Sequence, residues 1–137
     1  MFRNANSDKC LEIRGGSRAN GARANQWECN YSSSQQWNVS FVGPEMVEMT
    51  VLSSGKCLEI WGDDPNDFAP ANQYTCNGSA TQRWYWYADP INGRSYFKNA
   101  NSGKSLEIIY WGKGDGDFAV QYTYFGQANQ QWNARQL

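Results

Sequence analysis

The chain has 137 residues, 12 of them basic and 13 acidic, for a net charge of −1, and it contains no histidine. Without a basic run, nucleic acid and anionic membrane are poor partners, and no apolar stretch approaches the length of a membrane span. Without histidine the commonest general base and metal ligand are missing, so neither an enzyme nor a metal site is expected and no cofactor is implied.

The first marker, Lys9-Cys10-Leu11-Glu12-Ile13, follows Met1 so closely that no signal peptide is expected ahead of it. Arg14-Gly15-Gly16-Ser17 comes next, then Cys29. Gln35-Gln36-Trp37 then opens a strand-like run through Val42, rich in aromatic and β-branched residues. After the Ser54-Gly55 turn the first phrase returns as Lys56-Cys57-Leu58-Glu59-Ile60. An aromatic and acidic segment, Trp61 to Ala69, leads to Cys76 and the Asn77-Gly78 turn. Gln82-Arg83-Trp84 then opens a second strand, Arg83 to Tyr87. Turns at Asn92-Gly93 and Ser102-Gly103 precede Lys104-Ser105-Leu106-Glu107-Ile108. The segment Trp111 to Ala119 echoes Trp61 to Ala69, displaced two places relative to the Glu, and Gln130-Gln131-Trp132 ends the series.

The phrase thus recurs about every 47 residues, and each Glu precedes the Gln of its repeat by 23. A fixed period of this size means one supersecondary unit copied three times. No window carries a helical apolar period with caps, so the chain reads as all-β. Three four-stranded units on a pseudo-threefold axis make a β-trefoil, whereas a propeller needs at least four blades. We expect one domain over residues 1–137, with repeats of about 1–45, 46–93 and 94–137. Trp37, Trp84 and Trp132 should sit in its shared core.

Cys10 and Cys29, and Cys57 and Cys76, are each 19 residues apart, and the third repeat has Ser105 and Tyr124 at the matching places. Joint loss marks them as partners and selects Cys10–Cys29 and Cys57–Cys76, each worth roughly 3 kcal/mol. Paired cysteines imply an oxidising compartment and secretion, the alternative being a cytosolic protein with four buried thiols. The Asp residues of the two loops form only Asp-x-Asp patterns outside an EF-hand frame, a weak calcium signal.

Taken in register, the threefold Gln-x-Trp, the Cys-Leu-acid-hydrophobic phrase and the cysteine pairs resemble the ricin B-type lectin family, also called carbohydrate-binding module family 13, over residues 4–134. The resemblance implies a non-catalytic domain with up to three shallow sugar sites, one per repeat. Each would combine an acid (Glu12, Glu59, Glu107), a stacking aromatic (Trp27, Tyr74, Tyr122) and an amide (Gln35, Gln82, Asn129 with Gln130). A further polar residue, Asn25 or Asn72, lies two before the aromatic and becomes Val120 in the third repeat. The chemistry suits a pyranose, whose C–H face lies on an aromatic ring while carboxylate and amide bind its hydroxyls. The family's binding repeats usually carry Asp where this chain has Glu, and Ser34 and Thr81 replace the Asn found at Asn129. Such a domain acts alone or flanks a catalytic or toxin domain in a longer protein. The opposing reading is a β-trefoil protein-binding module such as a protease inhibitor. Convergence of the Glu, aromatic and amide of one repeat on one surface depression would separate the two.

Overall fold

The computed structural model describes residues 1–134. The first repeat supplies β1 (Phe2–Asn4), β2 (Cys10–Ile13), β3 (Ala24–Trp27) and β4 (Trp37–Gly43). The second supplies β5 (Met46–Val51), β6 (Cys57–Ile60), β7 (Ala71–Tyr74) and β8 (Trp84–Ala88), and the third β9 (Ser95–Asn99), β10 (Ser105–Ile108), β11 (Ala119–Tyr122) and β12 (Trp132–Ala134). Helix among the described residues is confined to six three-residue 3-10 turns, and no helix is long and apolar enough to cross a membrane.

Every strand pairing is antiparallel. One run of strands passes in the order β1-β12-β9-β8-β5-β4, and the hairpins β2–β3, β6–β7 and β10–β11 branch from β1, β5 and β9. Four strands per repeat in three equivalent copies make a β-trefoil.

All four residues of β2, β6 and β10 are buried, on both faces of the strand. The alternation of the pleat explains how. Leu11 and Ile13, with Leu58, Ile60, Leu106 and Ile108, point into the common core beside Val47, Met49 and Phe97. On the other face Cys10 and Glu12 lie beneath the segment that follows β3. The Trp of each Gln-x-Trp is buried, and its indole N–H donates to the carbonyl of Leu11, Leu58 or Leu106 at 3.0, 3.0 and 3.1 Å. That bond satisfies the one polar atom of the largest core side chain.

The disulfides are Cys10–Cys29 and Cys57–Cys76, with Cα atoms 5.1 and 5.2 Å apart. In the third repeat Tyr124 takes the place of the second cysteine. Its ring stacks on Tyr96 at 4.0 Å and its hydroxyl donates to Asp89 Oδ2 at 2.9 Å.

The three hairpins also grip one another through a residue type that sequence reasoning missed. Gln26, Gln73 and Gln121 are fully buried. Each accepts from a serine hydroxyl of its own repeat (Ser7, Ser54, Ser102) at 2.6–2.8 Å. Each then donates to two backbone carbonyls of a different repeat: Gln26 to Gly112 and Gly114, Gln73 to Ser17 and Ala19, Gln121 to Asp64 and Asn66. Backbone bridges Arg23–Asn72, Asn25–Phe118 and Pro70–Val120 complete the ring.

Candidate functional site

Register places the chemistry. Glu12 pairs across the hairpin with Asn25 and Cys10 with Trp27; Glu59 pairs with Asn72 and Cys57 with Tyr74; Glu107 pairs with Val120 and Ser105 with Tyr122. With a side-chain period of two, each acid and its aromatic lie on the same outer face of the hairpin.

The three carboxylates are buried, at 4 to 7 % exposure, whereas Trp27 and Tyr74 are 42 and 38 % exposed. Tyr122 is half-buried against Phe68. The Gln of each Gln-x-Trp donates to the Glu Oε1 at 3.2 Å (Gln35), 3.1 Å (Gln82) and 3.1 Å (Gln130). Its second N–H goes to the carbonyl of Glu28, Thr75 or Thr123, and its Oε1 accepts the N–H of Asn30, Asn77 or Phe125. These three Gln are wholly buried with both N–H groups and the carbonyl engaged. They lie behind the carboxylate, orienting it and tying down the segment above it, and do not reach the surface. Asn129 is also buried, donating to the Ile108 carbonyl at 3.1 Å, and Thr81 bonds both the N–H and the carbonyl of Ile60.

The carboxylates differ in their surroundings. Asn72 Nδ2 donates to Glu59 Oε2 at 3.1 Å, so both oxygens of Glu59 hold an amide hydrogen. Asn25 stands opposite Glu12, its buried Oδ1 without a partner among the described residues. Opposite Glu107, Val120 offers no donor. Burial raises the Glu12 carboxyl above the ordinary range, opposed by its bond to Gln35 and helped by the charge of Asp115. Glu107 is pushed up to about 7, again chiefly by burial, opposed by Gln130 and assisted by Asp67.

Asp115 and Asp67 show that each site straddles two repeats. Asp115 Oδ1 accepts the N–H of Glu28 at 2.8 Å and pairs with Lys9 at 2.9 Å beside the first site. Asp67 accepts the N–H of Thr123 at 3.0 Å and pairs with Lys104 at 3.6 Å beside the third. Asn20 accepts the N–H of Thr75 at 2.9 Å at the second. The loops 61–69 and 111–119 therefore each serve two repeats. Their later parts cross to the next hairpin, 64–68 to the third and 112–117 to the first. Nor are Trp61 and Trp111 counterparts. The 3-10 turns after β6 and β10 align Trp61 with Ile109 and Asp63 with Trp111, and the carbonyls of Asp63 and Trp111 accept matching bonds from Asn101 and Asn6. The acids of these loops also hold backbone: Asp64 accepts from Asn66 N–H and Asp117 from Gly114 N–H.

Glu59, Trp61, Tyr74, Asn77 and Thr81 line one open depression of about 330 Å³. It thus presents a carboxylate, two ring faces and short polar side chains to one small volume, an arrangement that accepts hydroxyl hydrogens and covers a C–H face.

Comparisons with known proteins agree with this fold. No curated protein sequence matches the chain. Among solved structures, the designed threefold-symmetric protein ThreeFoil is 29% identical with a TM-score of 0.96, over 99% of this chain and 96% of that one. An exo-β-1,3-galactanase from Clostridium thermocellum is 32% identical with a TM-score of 0.91, over 96% of this chain but only 28% of the galactanase chain. A ricin B-like lectin of Macrolepiota procera, solved with lactose, is similar in fold at 16% identity, with a TM-score of 0.82 over 96% of this chain and 89% of that one. The ricin-type β-trefoil lectin domain matches residues 1–132, and this chain belongs to that family.

Proposed function

We propose that the protein is a non-catalytic carbohydrate-binding domain with up to three shallow sites, centred on Glu12 with Trp27, Glu59 with Tyr74, and Glu107 with Tyr122. The depression shared by Glu59, Trp61 and Tyr74 carries the reading. A ring face held beside an oriented carboxylate suits a sugar, since one surface takes the C–H groups and the other the hydroxyls. In this reading Gln35, Gln82 and Gln130 act through the Glu they orient, as does Asn72, while Asn25 stands opposite Glu12 and Asn129 supports the third site from below. Each carboxylate belongs to a separate hairpin, so no two form the facing pair that glycoside hydrolysis uses.

Galactosides are the first sugars to test, because the 32%-identical segment belongs to a galactanase. By the same likeness the domain could serve as one module beside a catalytic domain. Two disulfides fit an extracellular setting. A glycan array should show binding that falls at least tenfold in Glu59→Ala or Tyr74→Ala once the other two sites are disabled. Undiminished binding in both variants would remove the second depression from the proposal, and an array blank for all sugars would sink the carbohydrate reading.

A further inference from the structure

The loop position whose N–H bonds the carbonyl of the buried hairpin Gln is equivalent in all three repeats, and it is Gly116 facing the first hairpin, Gly21 facing the second and Phe68 facing the third. Its backbone is left-handed throughout, with φ of +88°, +86° and +69°. The middle residue of the 3-10 turn after the Glu strand is likewise Gly15, Gly62 and then Tyr110, with φ of +64°, +65° and +55°. Glycine accepts this conformation without strain, whereas an aromatic residue does not. The third site alone therefore has two aromatic residues where its counterparts have glycine.

Burial does not account for the strain at Tyr110, which is 77% exposed, and Phe68 still keeps 43% of its surface in water. What the substitutions achieve is a row of rings. Tyr110 lies 5.5 Å from Phe68, Phe68 4.9 Å from Tyr122, and Tyr122 6.1 Å from Phe125, between centroids. At the first site a Cβ on Gly116 would stand 3.8 Å from the ring of Trp27, so a side chain there faces the stacking residue; at the third site Phe68 is that side chain. The row passes through Tyr122, on the face that carries Glu107, and its four rings extend past the area one pyranose covers.

We propose that Phe68 and Tyr110 form an additional stacking subsite, which holds the second ring of an oligosaccharide whose terminal ring lies on Glu107 and Tyr122. Strained residues cluster at ligand-binding features, and here the strain sets two partly exposed rings beside Tyr122. Sites one and two have no side chain at these positions, and at site two the Trp61 ring lies over Gly21 instead. This inference rests on the carbohydrate-binding proposal.

The test uses the full chain with Glu12→Ala and Glu59→Ala, on an array of galactose, N-acetylgalactosamine, lactose and β-1,3-galactobiose. Disaccharides should bind the third site more tightly than their terminal monosaccharides. Phe68→Gly should weaken disaccharide binding about fivefold, toward the monosaccharide level. Monosaccharide binding should stay unchanged, and the Tm should hold or rise as strain is released. Tyr110→Gly should give the same selective loss. An unchanged disaccharide-to-monosaccharide ratio in both variants overturns the subsite. Absence of all sugar binding, or binding that survives Glu107→Ala, instead overturns the underlying site.

Discussion

At the scale of single residues, the three glutamates are equal in spacing and unequal in state. Among the described residues Glu59 holds an amide hydrogen on each oxygen, while Glu107 faces Val120 and has one bond, to Gln130. A buried carboxylate with fewer donors loses hydration without replacement, and its pKa rises to about 7. The sign follows from linkage. The folded protein holds the Glu107 proton more tightly than the unfolded chain, so this group lowers stability as pH rises from its ordinary 4.5 to about 7, and the loss is constant above that. Glu107→Gln should flatten this part of the stability–pH curve, measured by denaturant midpoints between pH 4 and 8. Binding should run the other way. An ionised carboxylate accepts two hydroxyl hydrogens, so galactoside affinity at the third site should climb through pH 7 in the parent chain. A parent whose stability and affinity are both flat over that range would refute the assignment.

At the scale of elements, the first two hairpins are held by disulfides within their repeats, and all three by Gln26, Gln73 and Gln121 between repeats. Gln73→Ala would leave the Ser17 and Ala19 carbonyls and the Ser54 hydroxyl without their partner. Stranded buried groups cost about 1–3 kcal/mol each, with partial relief from water. We expect a loss of about 2–4 kcal/mol in urea unfolding; a change within 0.5 kcal/mol, the range of an ordinary surface substitution, would show that the clasp carries little. This clasp also explains what the sequence made legible and what it did not. Gln-x-Trp and the cysteine pairs act inside one repeat, so their period alone reveals them, and the β-trefoil follows. Gln26, Gln73 and Gln121 recur at the same period, as do Ser7, Ser54 and Ser102, and that signal was available but unused. Which loop meets which hairpin was not available. Gln26 reaches Gly112 across 86 residues and Asp67 reaches Thr123 across 56, and no local pattern encodes such a pairing. The alignment of Trp61 with Ile109 was hidden for a related reason, because similar loop sequences start two places apart from the strand that fixes their geometry.

At the scale of the whole molecule, three non-identical candidate sites stand on one ring of hairpins, each completed by a loop from another repeat. That arrangement makes them separable in binding and joint in avidity. Each acid lies on its own hairpin, so removing one should leave the affinities of the other two nearly unchanged, as for distant independent positions. Titration of Glu59→Ala with free lactose should then lose one site from the stoichiometry while the remaining dissociation constants hold. On a surface densely coated with the same sugar, the proposed sites should bind together, the second contact forming at an effective concentration in the millimolar range. Weak single contacts are multiplied there, and losing one of them should speed dissociation by about tenfold or more. The two measurements read the same substitution differently, which is what a rigid multivalent frame predicts. Equal losses in solution and on the surface would mean one dominant site, with the pseudo-threefold frame serving only to fold the chain.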